Sequence, residues 1–123
     1  FTLNIPSEAF VRQADYCGMA SGKRKDKFAA CGLTAVQSDC VHAPYVKEFS
    51  LVLECVVTHV VEIGLHTQFV GEIKDIKAEE EILNKSGEPD IEKLRPLLYD
   101  PALQRYFGVG AYVADAFSAG KKI

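Results

Sequence analysis

His66 stands at the mouth of the stretch Gly64-Leu65-His66-Thr67-Gln68-Phe69-Val70-Gly71-Glu72-Ile73-Lys74-Asp75-Ile76, two residues after a turn glycine. Its imidazole can donate or accept a hydrogen bond near neutral pH. Phe69 and Ile73 flank Gly71 at alternate positions, so a strand here presents a bare spot on an apolar surface, which suits a flat aromatic ligand. The rival reading is a histidine that merely caps a turn. A second group is the loop Ser21 to Lys27, Ser-Gly-Lys-Arg-Lys-Asp-Lys, with four cations and one acid. Lysines and backbone N–H groups near a glycine and a helix start suit a phosphate, although a solvated basic loop has the same composition. Tyr99 closes an apolar run just before Asp100-Pro101, where its ring could stack on a planar ligand or pack in a core with its hydroxyl at the surface. Tyr106 and Phe107 offer the same choice, or the packing of a dimer interface.

Other chemistries find less support. There is no glycine-rich dinucleotide fingerprint and no P-loop. No Ser-His-Asp or Cys-His set can be read from the spacing, and Glu72 and Asp75 have no obvious carboxylate partner, so hydrolysis by protein groups alone is poorly supported. Cys17, Cys31, Cys40 and Cys55 are 14, 9 and 15 residues apart, with no Cys-x-x-Cys pair. Four buried thiols in a reducing cytoplasm are the expectation, and no metal site is expected. His59 faces the apolar side of its strand and reads as a core or interface residue, while His42 sits in a loop without a partner.

The elements that must position these groups are mainly β. The 123 residues suit one domain, 1–123, with 48% apolar residues for a core and a net charge of −3. That charge gives no support to general nucleic-acid binding. The longest apolar stretch, Leu51 to Leu65, is interrupted by Glu54, His59 and Glu62, so no membrane span is expected. Phe1-Thr2-Leu3-Asn4-Ile5 alternates as a strand and Pro6 ends it. Ser7 is placed to cap a helix with the stripe Phe10, Val11, Ala14 and Cys17, which Gly18 and Gly22 break. Phe28-Ala29-Ala30-Cys31 suits a short helix that stops at Gly32. Residues 33–45 lack periodicity and hold at most a short strand. From Phe49 to Ile63 the odd positions are apolar apart from His59, which predicts a long strand, and a turn at Gly64 pairs it with the strand of His66 as a hairpin. Asp90 is placed to cap a short helix over 91–95.

Taken in order, these blocks resemble a known family. They are Ala14-Asp15-Tyr16-Cys17-Gly18 with Ser21-Gly22, Asp26-Lys27-Phe28 and Cys31-Gly32-Leu33-Thr34; Leu53-Glu54-Cys55; Gly64 to Ile73; and Pro89-Asp90, Leu97-Leu98-Tyr99-Asp100-Pro101 and Arg105-Tyr106-Phe107-Gly108-Val109-Gly110. The chain resembles the flavin-reductase-like, FMN-binding split-barrel family, and the flavoredoxin group within it. The resemblance implies a homodimer of split β-barrels with noncovalent FMN near the subunit interface. It places the family's flavin-contacting lysine on Lys27, its flavin-contacting histidine on His66 and an aromatic near the flavin on Tyr99. The family normally opens with further strands before the segment that matches Phe1 to Pro6. The expectation is therefore a split barrel of mainly β structure with small helices, matching the C-terminal portion of the pattern only and lacking its N-terminal strands. Leu65 stands where related reductases often carry an acid, which weakens the expectation of direct nicotinamide binding.

Two functions follow as expectations. The first is an FMN-binding, cytoplasmic flavoprotein that transfers electrons or reduces flavin. The second is a non-catalytic split-barrel fragment that serves dimerisation or protein binding without a cofactor. The electron donor and acceptor, a redox partner protein or NAD(P)H, stay open.

Overall fold

The computed structural model describes residues 1–121. Its centre is a three-stranded antiparallel sheet in the order β1-β4-β5. The alternating N-terminal segment forms β1 (Thr2–Ile5), which pairs with the first part of β4 (Leu51–Ile63) in the register Thr2↔Glu54 to Ile5↔Leu51. An N-terminal strand is thus present, and the expectation of a barrel lacking its N-terminal strands is corrected at this edge.

The period-two run gives the expected long strand, and Gly64, at φ 57°, makes the tight reversal into β5 (His66–Ala78). A left-handed backbone there favours a residue without Cβ. The β4–β5 ladder runs from Leu51↔Ala78 to Ile63↔His66, with irregularities between Glu54 and Cys55 and between Val57 and His59. Only the base of this hairpin is packed. Val52, Glu54 and Cys55 are buried, whereas every residue from Val56 to Val70 is exposed. The outer hairpin is an arm with apolar residues on both faces. His59 lies on it, exposed, its Nδ1 3.2 Å from the Thr58 hydroxyl, so it is no core residue of this chain.

The small elements wrap the base. A single 3₁₀ turn (Glu8–Phe10) leads into α1 (Val11–Met19), which continues through Gly18, so that glycine does not break the helix. Ser7 makes no side-chain cap and instead bridges to Pro96. α2 (Lys27–Cys31) is capped by Asp26, whose carboxylate accepts from the Ala29 N–H at 3.1 Å, and it ends at Gly32 as expected. The segment that lacked periodicity holds two short paired strands, β2 (Ala35–Gln37) and β3 (Pro44–Val46). Asn4 ties β3 to β1 by accepting from the Val46 N–H at 2.8 Å. α3 (Ile91–Leu94) is capped by Asp90, and β6 (Leu98–Asp100) pairs with β7 (Arg105–Phe107). Of the four cysteines only Cys55 is buried; Cys17 and Cys31 are half-buried and Cys40 is exposed, so the expectation of four buried thiols is corrected.

Candidate functional site

An open cleft of about 710 Å³ lies between α1 and the β6–β7 pair. Ala14, Asp15, Gly18 and Met19 form one wall, and Tyr99 and Tyr106 form the other. The two tyrosines sit opposite each other in the β6–β7 register, their ring centroids 5.1 Å apart and inclined by 42°. The Tyr106 hydroxyl donates to Asp15 Oδ1 at 3.2 Å, which links β7 to α1 across the cleft. Burial and that hydrogen bond to a carboxylate push the Tyr106 hydroxyl above its ordinary range, so it stays a neutral donor at physiological pH. Tyr99 is left with about half of its surface open. A cleft of this size with an aromatic wall and a few polar groups has the character of a small-molecule site.

Lys27 lies behind the α1 wall. Its Nζ donates to the Cys17 carbonyl at 2.6 Å. That carbonyl belongs to the last turn of α1, where backbone acceptors lack intrahelical partners, so the lysine caps the helix. An ammonium has three donors, and this contact uses one of them. Lys23, Arg24 and Lys25 remain exposed in the same loop. Cavity lining includes neither Lys27 nor His66. His66 sits at the tip of the arm, paired with Ile63, exposed and without a side-chain hydrogen bond among the described residues. Within one chain, then, Tyr99 forms the cleft, Lys27 adjoins it through Cys17 and Gly18, and His66 is held on the separate arm. The bare spot at Gly71 is covered by this chain itself. A Cβ there would lie 2.6 Å from Phe1 Cζ and 3.1 Å from Cys55 Cβ, so the ring seated on Gly71 is that of Phe1.

Sequence reasoning missed a second polar centre. Glu54 is fully buried on β4, and its Oε2 accepts from the Cys40 N–H at 2.9 Å. Lys77 Nζ lies 3.5 Å from Glu54 Oε1, 2.8 Å from Asp39 and 3.3 Å from Asp75. Burial alone would raise the Glu54 carboxyl, but hydrogen bonds from Ser38 and Cys40, with the Lys77 charge, outweigh it and bring it down to about 2. Cys40, Glu54 and Asp75 place metal-type donor atoms within 4.8 Å of one another. The cation among them is the Lys77 ammonium, which makes this an ion-pair network that joins the β2–β3 loop to the sheet. The signal in the sequence was an acid on an alternating strand whose flanking positions are apolar, Leu53-Glu54-Cys55.

Residues 1–108 match the flavin reductase like domain, and the chain belongs to that family. It is similar to the flavoredoxin of Desulfovibrio vulgaris (Miyazaki F), at 50% identity and a TM-score of 0.92, over 98% of this chain and 64% of that one. It is also similar to a flavoredoxin from Methanosarcina acetivorans, at 36% identity and a TM-score of 0.91, over 98% of this chain and 63% of that one. An uncharacterized protein of Archaeoglobus fulgidus is 36% identical over 74% of this chain and 50% of its own length. The chain thus spans about half the length of that relative and under two thirds of the flavoredoxins. The expectation that the chain carries only a C-terminal portion of the family pattern is corrected, because the family match begins at Phe1 and the flavoredoxins superpose on nearly the whole chain. Among the described residues no helix is long and apolar enough to cross a membrane.

Proposed function

We propose that this chain is the FMN-binding part of a flavoredoxin-like flavoprotein that carries electrons or reduces flavin. The observation that carries the reading is the 50% identity to a flavoredoxin over 98% of the chain. The residues at hand suit the cofactor. Tyr99 offers a half-open ring face for the isoalloxazine, and the inclined Tyr106 buttresses it. Asp15 holds Tyr106 in place through its hydroxyl. Lys27, with two ammonium protons to spare, and the cations of the 23–25 loop offset the phosphate charge. FMN itself supplies the one- and two-electron chemistry; the protein sets its position and potential.

His66 acts in this reading through a homodimer. The arm of one protomer covers apolar surface of its partner and delivers His66 to the partner's cleft, where the imidazole hydrogen-bonds the flavin. The test is titration with FMN, followed by quenching of flavin fluorescence and by the visible spectrum of the complex. Saturable binding of one FMN per chain is expected, and Tyr99→Ala should weaken it about three- to tenfold, the worth of one aromatic contact. Protein that stays colourless and leaves FMN fluorescence unchanged overturns the reading in favour of a cofactor-free binding module.

A further inference from the structure

A fully buried carboxylate faces a like charge across the sheet. Glu54 on β4 and Asp75 on β5 are register partners, and like charges placed opposite each other repel unless a cation stands between them. Glu54 has no exposed surface, and its Oε1 accepts no hydrogen bond. That oxygen faces the Lys77 ammonium at 3.5 Å, too far for a good hydrogen bond. The third corner is Cys40, on the loop between β2 and β3. One donor atom from each of Cys40, Glu54 and Asp75 lies within 4.8 Å of the others. Cys40 is exposed and Asp75 half-buried, so the cluster opens to solvent above a buried base. Lys77 has a second anchor outside it: its Nζ lies 2.8 Å from the exposed carboxylate of Asp39.

We propose that Cys40, Glu54 and Asp75 form a binding site for a thiophilic divalent cation of the zinc class, which takes the place of the Lys77 ammonium. One sulfur and two carboxylates suit a borderline-soft ion, whereas magnesium and calcium take shells of hard oxygen ligands. Metal–ligand lengths of about 2.0–2.3 Å set the ligand atoms of a tetrahedron roughly 3.3–3.7 Å apart, so the cluster closes by about 1 Å. The exposed Cys40 loop supplies that movement. On binding, the Cys40 thiol gives its proton to water and its sulfur ligates as the thiolate. Lys77 stays charged and turns to Asp39. The hydrogen bond to Glu54 holds the Cys40 thiol above its ordinary range, so the proton is in place at rest. The carboxylates that retain a proton there attract a dication more strongly, and the metal displaces it. Water fills the fourth position. The ion ties the 38–43 loop to β4 and β5. It lies apart from the Tyr99 cleft, whose lining includes none of its three ligands, and it does not depend on flavin.

The experiment titrates the full chain with Co²⁺ in a thiol-free reductant and reads difference spectra. A sulfur-to-cobalt charge-transfer band in the near ultraviolet, with the strong visible bands of four-coordinate Co²⁺, should rise to one ion per chain and vanish on addition of Zn²⁺. Cys40→Ser, a surface change, should abolish the charge-transfer band. Asp75→Asn should weaken binding by about tenfold or more. Lys77→Met removes the competing ammonium and should tighten Co²⁺ binding about fivefold, the worth of a partly exposed ion pair. Cobalt bound without the charge-transfer band overturns the proposal. So does a band that survives Cys40→Ser, or a Lys77→Met variant that binds no tighter.

Discussion

Gly71→Ala tests how the base of the hairpin is packed. The new Cβ would lie 2.6 and 2.7 Å from two ring atoms of Phe1 and 3.1 Å from Cys55 Cβ. Carbon atoms sit comfortably at about 3.5–4.0 Å, so the Phe1 ring must retreat by about 1 Å. On the other side Cys55 is 2% exposed on the central strand and cannot yield. Overpacking of this kind costs roughly 1–3 kcal/mol. With a urea dependence of about 2 kcal/mol per molar, the unfolding midpoint should fall by about 0.5–1.5 M at an unchanged slope. The assay is urea denaturation of wild type, Gly71→Ala, Phe1→Ala and the double variant, without FMN. Removal of the ring should relieve the clash, so the double variant should be more stable than the sum of the single losses implies, by about 0.5–3 kcal/mol. An unchanged midpoint for Gly71→Ala, or strict additivity, refutes this packing. A loss seen only with FMN present would return Gly71 to the ligand reading drawn from the sequence.

The Glu54 carboxyl is depressed to about 2 from an ordinary 4.5, so its contribution to stability is full above pH 4.5 and is lost as the pH falls towards 2; Glu54→Gln should flatten that limb of the stability–pH curve, and a parallel curve speaks against it. Hydrogen bonds to Asp39 and Asp75 raise Lys77 above 10.5, so its contribution is full below that pH and fades above it; Lys77→Met should flatten the alkaline limb of the same curve. Asp26→Ala removes the cap of α2 and should lower stability by about 1 kcal/mol in the same denaturation assay, with Asp26→Asn close to wild type. Equilibrium sedimentation should report a dimer, and Phe69→Lys, which puts a charge on the exposed arm, should shift it to monomer.

Local signals were legible where backbone chemistry is local. Gly64 after fifteen residues of alternation gave the hairpin, Asp26 and Asp90 gave two helix starts, and Gly32 gave a helix stop. Each rests on contacts within a few residues, which a linear reading contains. The Ser7 cap failed because the segment pairs with Pro96, about ninety residues on. The buried-thiol expectation failed because burial depends on what lies opposite a side chain: Cys55 has Gly71 and Phe1, while Cys40 lies at the surface of a loop. Period two along β4 marked the strand but not its buried side: at the base the even positions Val52 and Glu54 are buried together with Cys55, the register shifts after Glu54, and both faces are exposed beyond Cys55. Tyr99, which lines the cleft, was singled out through its place before Asp-Pro. Asp15, which accepts from the Tyr106 hydroxyl, was not, because that hydrogen bond spans 91 residues.

The same arm explains why the candidate site is divided. The chain exposes 9482 Å², whereas a compact monomer of its mass exposes roughly 6,500 Å². The excess, about 3,000 Å² on one chain, is more than the roughly 1,000–2,500 Å² that each partner contributes to an obligate interface. Much of it is the arm, where Val60, Val61, Ile63, Leu65 and Phe69 each show more than two fifths of their surface and Leu65 shows all of it. Contiguous apolar surface on a folded chain marks an interaction surface. The residue carried at its tip is a histidine, and the cleft of the same chain has an aromatic wall and a cation behind it but no imidazole among its lining residues. The homodimer proposed above satisfies both halves with one contact, since a second copy of this chain has a cleft to receive the histidine. On the proposed homodimer, hydrophobic burial and completion of the proposed flavin site are one event, so Phe69→Lys should weaken FMN binding together with assembly even though Phe69 does not line the cleft of its own chain.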